Sequence, residues 1–369
     1  MTGSLGMAAR IGFGVVLAVA AAAVVAQEEP DFDPAAADAP TADTHWFGEG
    51  QLRYDRVEGL PNNRPTLERE RLRLRFGGMQ QDEDFTFLAA LEAGIGTGAN
   101  KDTLINNDLE RVDHVDLDQL LIQRRFAGST WNAMLQAGKA PLTLDLSPLL
   151  WDADLRAWSL AGRATGAARE YDRWQFDFGV FSRDPSVSDG AELTAAQFSW
   201  HVHEGAPRGA GVQLAYLHWA GVDEFARRGL GRGNTLVSGR YRDDFHLLDA
   251  QAYLRWDVAS RPLVARLDLV SNLGAEDEDR GARASLTWGD RSASGWELGW
   301  AWQRMQRNAV LAAVTSDDWW FHTAARGHMP WVGYGFNETW SLRLAAFFET
   351  RDGLNDRTER LLLDLDARW

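Results

Sequence analysis

Arg71, Arg73 and Arg75 alternate with Leu72, Leu74 and Phe76, so in an extended chain the three guanidiniums share one face. Residues two apart on a strand lie about 6.6–6.8 Å apart. Arginine stays charged at every physiological pH, so the three groups repel unless carboxylates, water or passing anions screen them. That chemistry attracts and orients charged or polar solutes; it makes and breaks no bonds. The acids best placed to face the arginines are Asp145, Asp152 and Asp154, in one long link between predicted strands. If that link bends inward, Arg71, Arg73 and Arg75 form one side of a constriction and the three aspartates the other. Alternatively, the arginines pair with acids along a wall and only keep an interior wet.

Other chemistry is thin. The sequence contains no Gly-x-Ser-x-Gly elbow, no Walker loop and no His-Glu-x-x-His. His201 and His203 fall on one strand face, but two histidines near a turn read as a satisfied or solvated pair, so neither a metal nor a cofactor is expected. Gly229-Leu-Gly-Arg-Gly233 has no strand–turn–helix context and reads as a flexible loop, not a phosphate cradle. A net charge of −15 argues against nucleic acid as a partner.

What must position the arginines is a set of alternating strands. Trp296, Leu298, Trp300 and Trp302 share one face, with Glu297, Gly299, Ala301 and Gln303 on the other. Arg173, Gln175 and Asp177 alternate with Trp174, Phe176 and Phe178. The last segment sets Leu361, Leu363, Leu365, Ala367 and Trp369 against Arg360, Asp364, Asp366 and Arg368. A helix would scatter these residues around its axis. Sixteen such segments are predicted, near 45–57, 68–79, 84–96, 112–126, 130–139, 155–164, 171–183, 192–203, 209–220, 245–257, 261–273, 280–288, 295–307, 326–336, 339–350 and 359–369. The fourth is ambiguous in phase, since Leu117, Leu120, Leu121 and Ile122 fit neither face, and the sixth is weak. Links after even segments are short, whereas those at 97–111, 140–154, 221–244 and 308–325 are long. Short turns at one end and long loops at the other are the pattern of an up-and-down transmembrane barrel, and an even count returns both ends to the periplasm. The predicted class is all-β: an antiparallel transmembrane barrel over residues 45–369, with about 16 strands and a range of 14–18.

Composition agrees. The chain has 17 Trp and 17 Phe but no Cys, so no disulfide framework staples it. Aromatics spread along a chain of weak hydropathy suit a barrel in which alternate residues meet lipid. Arg10, the apolar run Ile11–Val25 and the small Ala26 read as a signal peptide over 1–26, cleaved after Ala26. An acidic, Ala/Pro-rich leader follows over 27–44. On the face opposite the apolar one, Arg53, Arg255, Arg266, Arg283 and Arg343 join the three arginines. Glu49, Asp55, Glu92, Asp177, Asp249, Asp268, Glu297 and Glu349 balance them.

Trp369, closing an alternating strand, is similar to the terminal aromatic by which outer-membrane barrels are recognised for insertion. Gly138-Lys139 followed by Leu149-Leu-Trp-Asp-Ala-Asp-Leu155, and Asp317-Asp318 leading to Gly327-His328, resemble stretches of a family of proteobacterial porins. The chain departs from that family at Arg156-Ala157-Trp158, where the family tends to a Pro-Glu-Gly-like turn. The resemblance implies a bacterial outer-membrane location and a water-filled channel for small hydrophilic solutes and ions. Implied partners are outer-membrane lipids, lipopolysaccharide and the barrel-assembly machinery, with a homotrimer left open. A barrel enzyme of lipase or protease type, and a structural or adhesive barrel, are the competing classes. An enzyme would need a Ser/His/acid set that no motif here supplies.

Overall fold

The computed structural model describes residues 43–97, 114–169, 171–183, 190–203 and 207–369. The predicted signal peptide and nearly all of the leader lie outside the described residues. Sixteen antiparallel strands close into one barrel. They are β1 (Asp43–Glu58), β2 (Leu67–Asp82), β3 (Phe85–Gly96), β4 (His114–Ala127), β5 (Trp131–Ala140), β6 (Ala157–Arg169), β7 (Asp172–Arg183), β8 (Glu192–Val202), β9 (Arg208–Ala220), β12 (His246–Val258), β13 (Arg261–Asn272), β14 (Arg280–Gly289), β15 (Gly295–Met305), β16 (Ala325–Gly335), β17 (Trp340–Arg351) and β18 (Arg357–Arg368). Between β9 and β12 lie a five-residue helix, α1 (Asp223–Arg227), and a two-stranded hairpin, β10 (Leu236–Val237) with β11 (Arg240–Tyr241).

Each predicted segment coincides with one barrel strand, because period-two alternation is what a wall between lipid and lumen requires. On β15, Trp296, Leu298 and Trp300 are exposed outward while Ala301, Gln303 and Met305 are buried inward. The ambiguous fourth segment has a physical cause: the β3–β4 register shifts between Ala90 and Leu91, so Asp118 is an extra residue that swaps the phase of its strand. The weak sixth segment is the Ala/Gly-rich β6, which runs to Arg169, beyond its predicted end.

Closure is made by the two ends of the chain. The Trp369 amide donates to the Gly48 carbonyl at 3.0 Å, and the Gly48 amide donates back to the Trp369 carbonyl at 2.8 Å. The Trp369 ring lies where a Cβ on residue 48 would stand, so only glycine leaves room for it.

Three long links enter the lumen: L3 (141–156), L5 (221–245) and L7 (306–324). Together they build a dry core. Leu149 and Leu150 of L3, Phe225 and Leu230 of L5, and Val310 and Leu311 of L7 pack with inward residues of the wall such as Leu193, Leu217 and Leu247. The inner face, on which the sequence places charged residues, is not polar throughout. At the long-loop end of β6–β15 the inner face is apolar, because it carries a core rather than water. The Gly229–Gly233 segment, expected to be flexible, is part of this packing. Next to it, the Asn234 amide donates to the carbonyls of Arg307 (2.7 Å) and Val310 (2.8 Å), and its oxygen accepts from the Ala312 amide at 2.9 Å.

Candidate channel constriction

β2 presents four arginines inward, Arg69, Arg71, Arg73 and Arg75, and Arg69, Arg71 and Arg75 are buried. Strand register supplies their neighbours. Arg75 lies directly across from Glu49 on β1 and Glu92 on β3, and Arg71 lies across from Arg53. Arg75 Nε donates to Glu92 Oε2 at 2.7 Å, and its guanidinium is 3.4 Å from Glu49 and 3.6 Å from Asp118. Arg69 and Arg360 of β18 both donate to the Asp55 carboxylate, the latter at 2.9 and 3.0 Å. Arg53 forks onto Asp364 of β18, Nη2 to Oδ2 at 3.2 Å, and reaches Asp318 of L7 at 3.0 Å. Fork-shaped donors against planar carboxylates make the strong, orienting kind of pair.

L3 crosses the lumen and touches both sides. At its start, the wall glutamines hold the backbone of Asp145. Gln197 and Gln251 donate to the Asp145 carbonyl at 2.9 and 3.0 Å, and the Asp145 amide donates to Gln197 at 2.8 Å. Its carboxylate accepts from Gln213 at 2.8 Å and lies 3.9 Å from Arg266. At its far end, Asp154 meets Arg73 at 2.8 Å and Arg75 at 3.6 Å. Arg156 comes within 3.4 Å of Asp118. Between them, Asp152 joins L3 to L7. Its carboxylate accepts from the amides of Asp154 (2.8 Å) and Asp317 (2.9 Å), and its own amide donates to the Val314 carbonyl at 2.8 Å.

The two L3 aspartates are pushed apart electrostatically. Burial, and then the charge of Asp154, push the Asp152 carboxyl up to about 6. Burial alone would raise Asp154 too, but Arg73 and then Arg75 outweigh it and hold that carboxyl well below the usual range. Asp318, also buried, is held low by Arg53 and Arg343. The arrangement is thus a file of fixed positive charges on β2 and β1, met by ionised acids on two inward loops. Such a file sets an electric field across the gap between β2 and the loops.

Two cavities flank it. One, of about 400 Å³, lies between L3 and the tip of L7 and is lined by Arg53, Asp145, Asp152, Asp154 and Asp318. The other, of about 430 Å³, is lined by Glu49, Arg75, Gln119, Gln123, Arg156 and Arg163. Both are bordered by Pro141 and Leu142.

Of the residues singled out in sequence, Arg53, Glu92, Arg73, Arg75 and Asp154 come together, and Arg71 is buried on the same face beside them. Asp145 and Asp152 do not face the arginines as expected. Asp145 is held against β8, β9 and β12 on the other wall, where Arg266 approaches it, and Asp152 is buried in the joint between loops. Arg255 lies near the short-turn end of β12 beside Asp257, at 3.6 Å, away from L3. Sequence reading missed Arg69, although it sits two residues before Arg71 on the same face. It also missed Asp55–Arg360, Arg53–Asp364 and Asp318 as partners, because pairing across β1 and β18 is invisible until the barrel closes. His201 and His203 do not share a face. His201 is buried with Nδ1 3.0 Å from the Tyr253 hydroxyl, and His203 lies past the end of β8 at φ 53°. Among the described residues no group of three or more acids and histidines is placed to hold a metal.

No family model matches the chain, and no curated protein matches it. Solved structures do resemble its fold. A high-pH structure of Pseudomonas putida OprB aligns with a TM-score of 0.58 at 11% identity, covering 88% of this chain and 94% of that one. A multiple mutant of Rh. blastica porin aligns with a TM-score of 0.50 at 11% identity, covering 89% of this chain and 100% of that one. At such identity the likeness speaks for architecture: the sixteen-stranded closed barrel seen in porins.

Proposed function

We propose that this chain is a passive channel of the bacterial outer membrane for small hydrophilic solutes and ions. In this reading residues 1–26 are removed on export, the mature chain begins at Gln27, and Trp369 is read by the assembly machinery as well as closing the wall. The observation that carries the proposal is L3, folded into a sixteen-stranded barrel, setting Asp154 against the β2 arginines. A barrel of this strand number is wide enough for an aqueous passage unless plugged. Solutes then pass the arginine file at its narrowest point, where the transverse charge orders dipoles and modestly sorts ions.

The test is single-channel recording on the purified barrel with Arg71, Arg73 and Arg75 all replaced by Ser. Conductance rises and selectivity moves toward cations, and the shift shrinks at 1 M salt, where the Debye length is about 3 Å. Unchanged selectivity would show that the arginines only brace the wall. Liposome swelling by small sugars, with no lipid hydrolysis, separates the channel from a barrel enzyme.

A further inference from the structure

The outer surface of the wall carries a second concentration of arginine. Along β15 the outward residues Trp296, Leu298, Trp300 and Trp302 end at Arg304, at the long-loop end of the strand. Along β16 the outward His328 is followed, one step toward the same end, by Arg326. Register makes Arg304 and Arg326 direct partners, then Arg326 and Thr350, then Thr350 and Arg357, which is one row across β15–β18. Arg280 begins β14 beside this row. All four arginines are exposed. Arg357 is engaged by Glu359 at 3.5 Å and lies 4.2 Å over the Phe348 ring, and Arg280 has Asp279 at 3.7 Å. Arg304 and Arg326 make no side-chain hydrogen bond or ion pair among the described residues. Like charges directly opposite on adjacent strands destabilise a sheet, so an anion from outside the chain bound at this pair relieves the repulsion.

A second feature sits directly below. A cavity of about 430 Å³ opens on the outward face of β12–β15, floored by Ala250 and Ala282, walled by Leu248, Leu269 and Trp302, and topped by Arg280 and Arg304. On a wall that faces hydrocarbon, an apolar groove ending in cations fits a lipid: its acyl chain in the groove, its anionic head at the arginines. The long-loop end is the outer end of such barrels, so the lipid belongs to the outer leaflet. From Arg304 to Arg357 the row spans three interstrand steps, roughly 14 Å. That is wider than one phosphodiester needs and suits a head with two separated phosphates.

We propose that the outward face of β12–β18 is a binding site for a bis-phosphorylated glycolipid of the outer leaflet, of the lipid A type. Arg304 and Arg326 hold phosphate, and one acyl chain lies against Ala282 and Trp302. The inference rests on the membrane placement of the wall, not on conduction.

The test uses the full mature barrel in phosphatidylcholine nanodiscs containing a small fraction of lipid A. Lipid retained per barrel is counted by mass spectrometry after detergent exchange. Wild-type barrel retains lipid A, and R280Q/R304Q/R326Q lowers its apparent affinity roughly 100-fold. Dephosphorylated lipid A is not retained. Trp302→Ala weakens retention with the arginines intact. Because these residues point away from the lumen, the arginine variant keeps its heat-modifiable mobility and wild-type conductance, so failure here and failure of the channel reading are separate results. Equal retention by the variant, or equal competition by phosphatidylglycerol, overturns the proposal.

Discussion

The two sides of the lumen hold the inward loops with different shares of apolar and ionic contact. On the side of β6–β15, L3, L5 and L7 meet the wall through a dry core in which Phe225, Leu193, Val310 and Leu311 are almost wholly buried. On the side of β17–β18–β1–β2, L7 also seats Trp319 on Phe347 and Leu362, and Trp320 and Phe321 beside Val57 and Leu67, but there the loops add ionic contacts, Asp318 with Arg53 and Asp154 with Arg73. Apolar contact offers no charge for salt to screen or pH to titrate, but it is intolerant of charge. Ionic contact is directional and leaves fixed charge beside the lumen. The β6–β15 side thus anchors the loops largely without charge, while the fixed charges that the channel reading uses lie on the other side.

The largest break in that contrast is a charge placed in the dry side. Val310 is fully buried within L7, so Val310→Asp puts an unpaired carboxylate into the core at a cost of roughly 3–5 kcal/mol. L7 and the L3 segment bound to it then leave the lumen. Conductance rises severalfold and added protease cuts L7, while the barrel itself remains heat-modifiable. An intact, protease-resistant L7 would show that its contacts with β17, β18, β1 and β2 alone anchor it.

Next in size is a pH effect at the joint between them. Asp152, ordinarily near 3.8, is held at about 6 in the fold. An acid whose value is raised by folding favours the folded arrangement while protonated. Its contribution is complete below about pH 4 and is lost as pH rises to about 6, amounting to at most ~3 kcal/mol for that interval. L3–L7 contact is thus tightest in acid, so channel noise and loop proteolysis increase between pH 4 and 6. Asp152→Asn removes this dependence. A transition that persists in the Asn variant belongs to another group.

How far all this could be read from the sequence follows the same division. Alternation located every wall strand, because lipid imposes one chemistry on every second residue whatever lies inside. It could not show which links turn inward. The apolar run Ala309–Val314 in a link was the available signal, since an exposed loop has no reason to carry it. Inward Leu193, Leu217 and Leu247 make both faces of their strands apolar, which blurs phase rather than marking a plug. Of the ionic side, Arg71, Arg73 and Arg75 were legible as a file, and so were Asp154, Glu49 and Glu92, which meet Arg73 and Arg75. The partners of Arg53, Arg69 and Arg360 were not, because Asp55, Asp364 and Asp318 reach them from β1, β18 and L7 only through closure and loop folding.

A smaller effect is expected from Asp154→Asn. The variant leaves Arg73 without the carboxylate at 2.8 Å, while Arg75 keeps Glu92 at 2.7 Å. The lost charge-assisted hydrogen bond weakens the L3 contact by about 2 kcal/mol. The uncovered positive charge shifts selectivity toward anions, measured as a change in reversal potential in a salt gradient. An unmoved reversal potential would mean that ions do not pass this point.

The smallest effect is expected at the other acidic position of the same loop. Asp145 also carries a charge into the lumen, but its side chain is about half exposed and its only ion-pair partner among the described residues, Arg266, is 3.9 Å away. Exposed pairs at that separation contribute about 0–1 kcal/mol. What fixes this end of L3 is its backbone, gripped by Gln197 and Gln251. Asp145→Asn should therefore leave loop proteolysis unchanged and move the reversal potential less than Asp154→Asn does. Gln197→Ala, which alters no charge, removes two hydrogen bonds to that backbone and should loosen the loop more than Asp145→Asn. If Asp145→Asn proves the more disruptive of the two, this end of L3 is held by charge after all, and the division between an anchoring side and a selecting side does not hold.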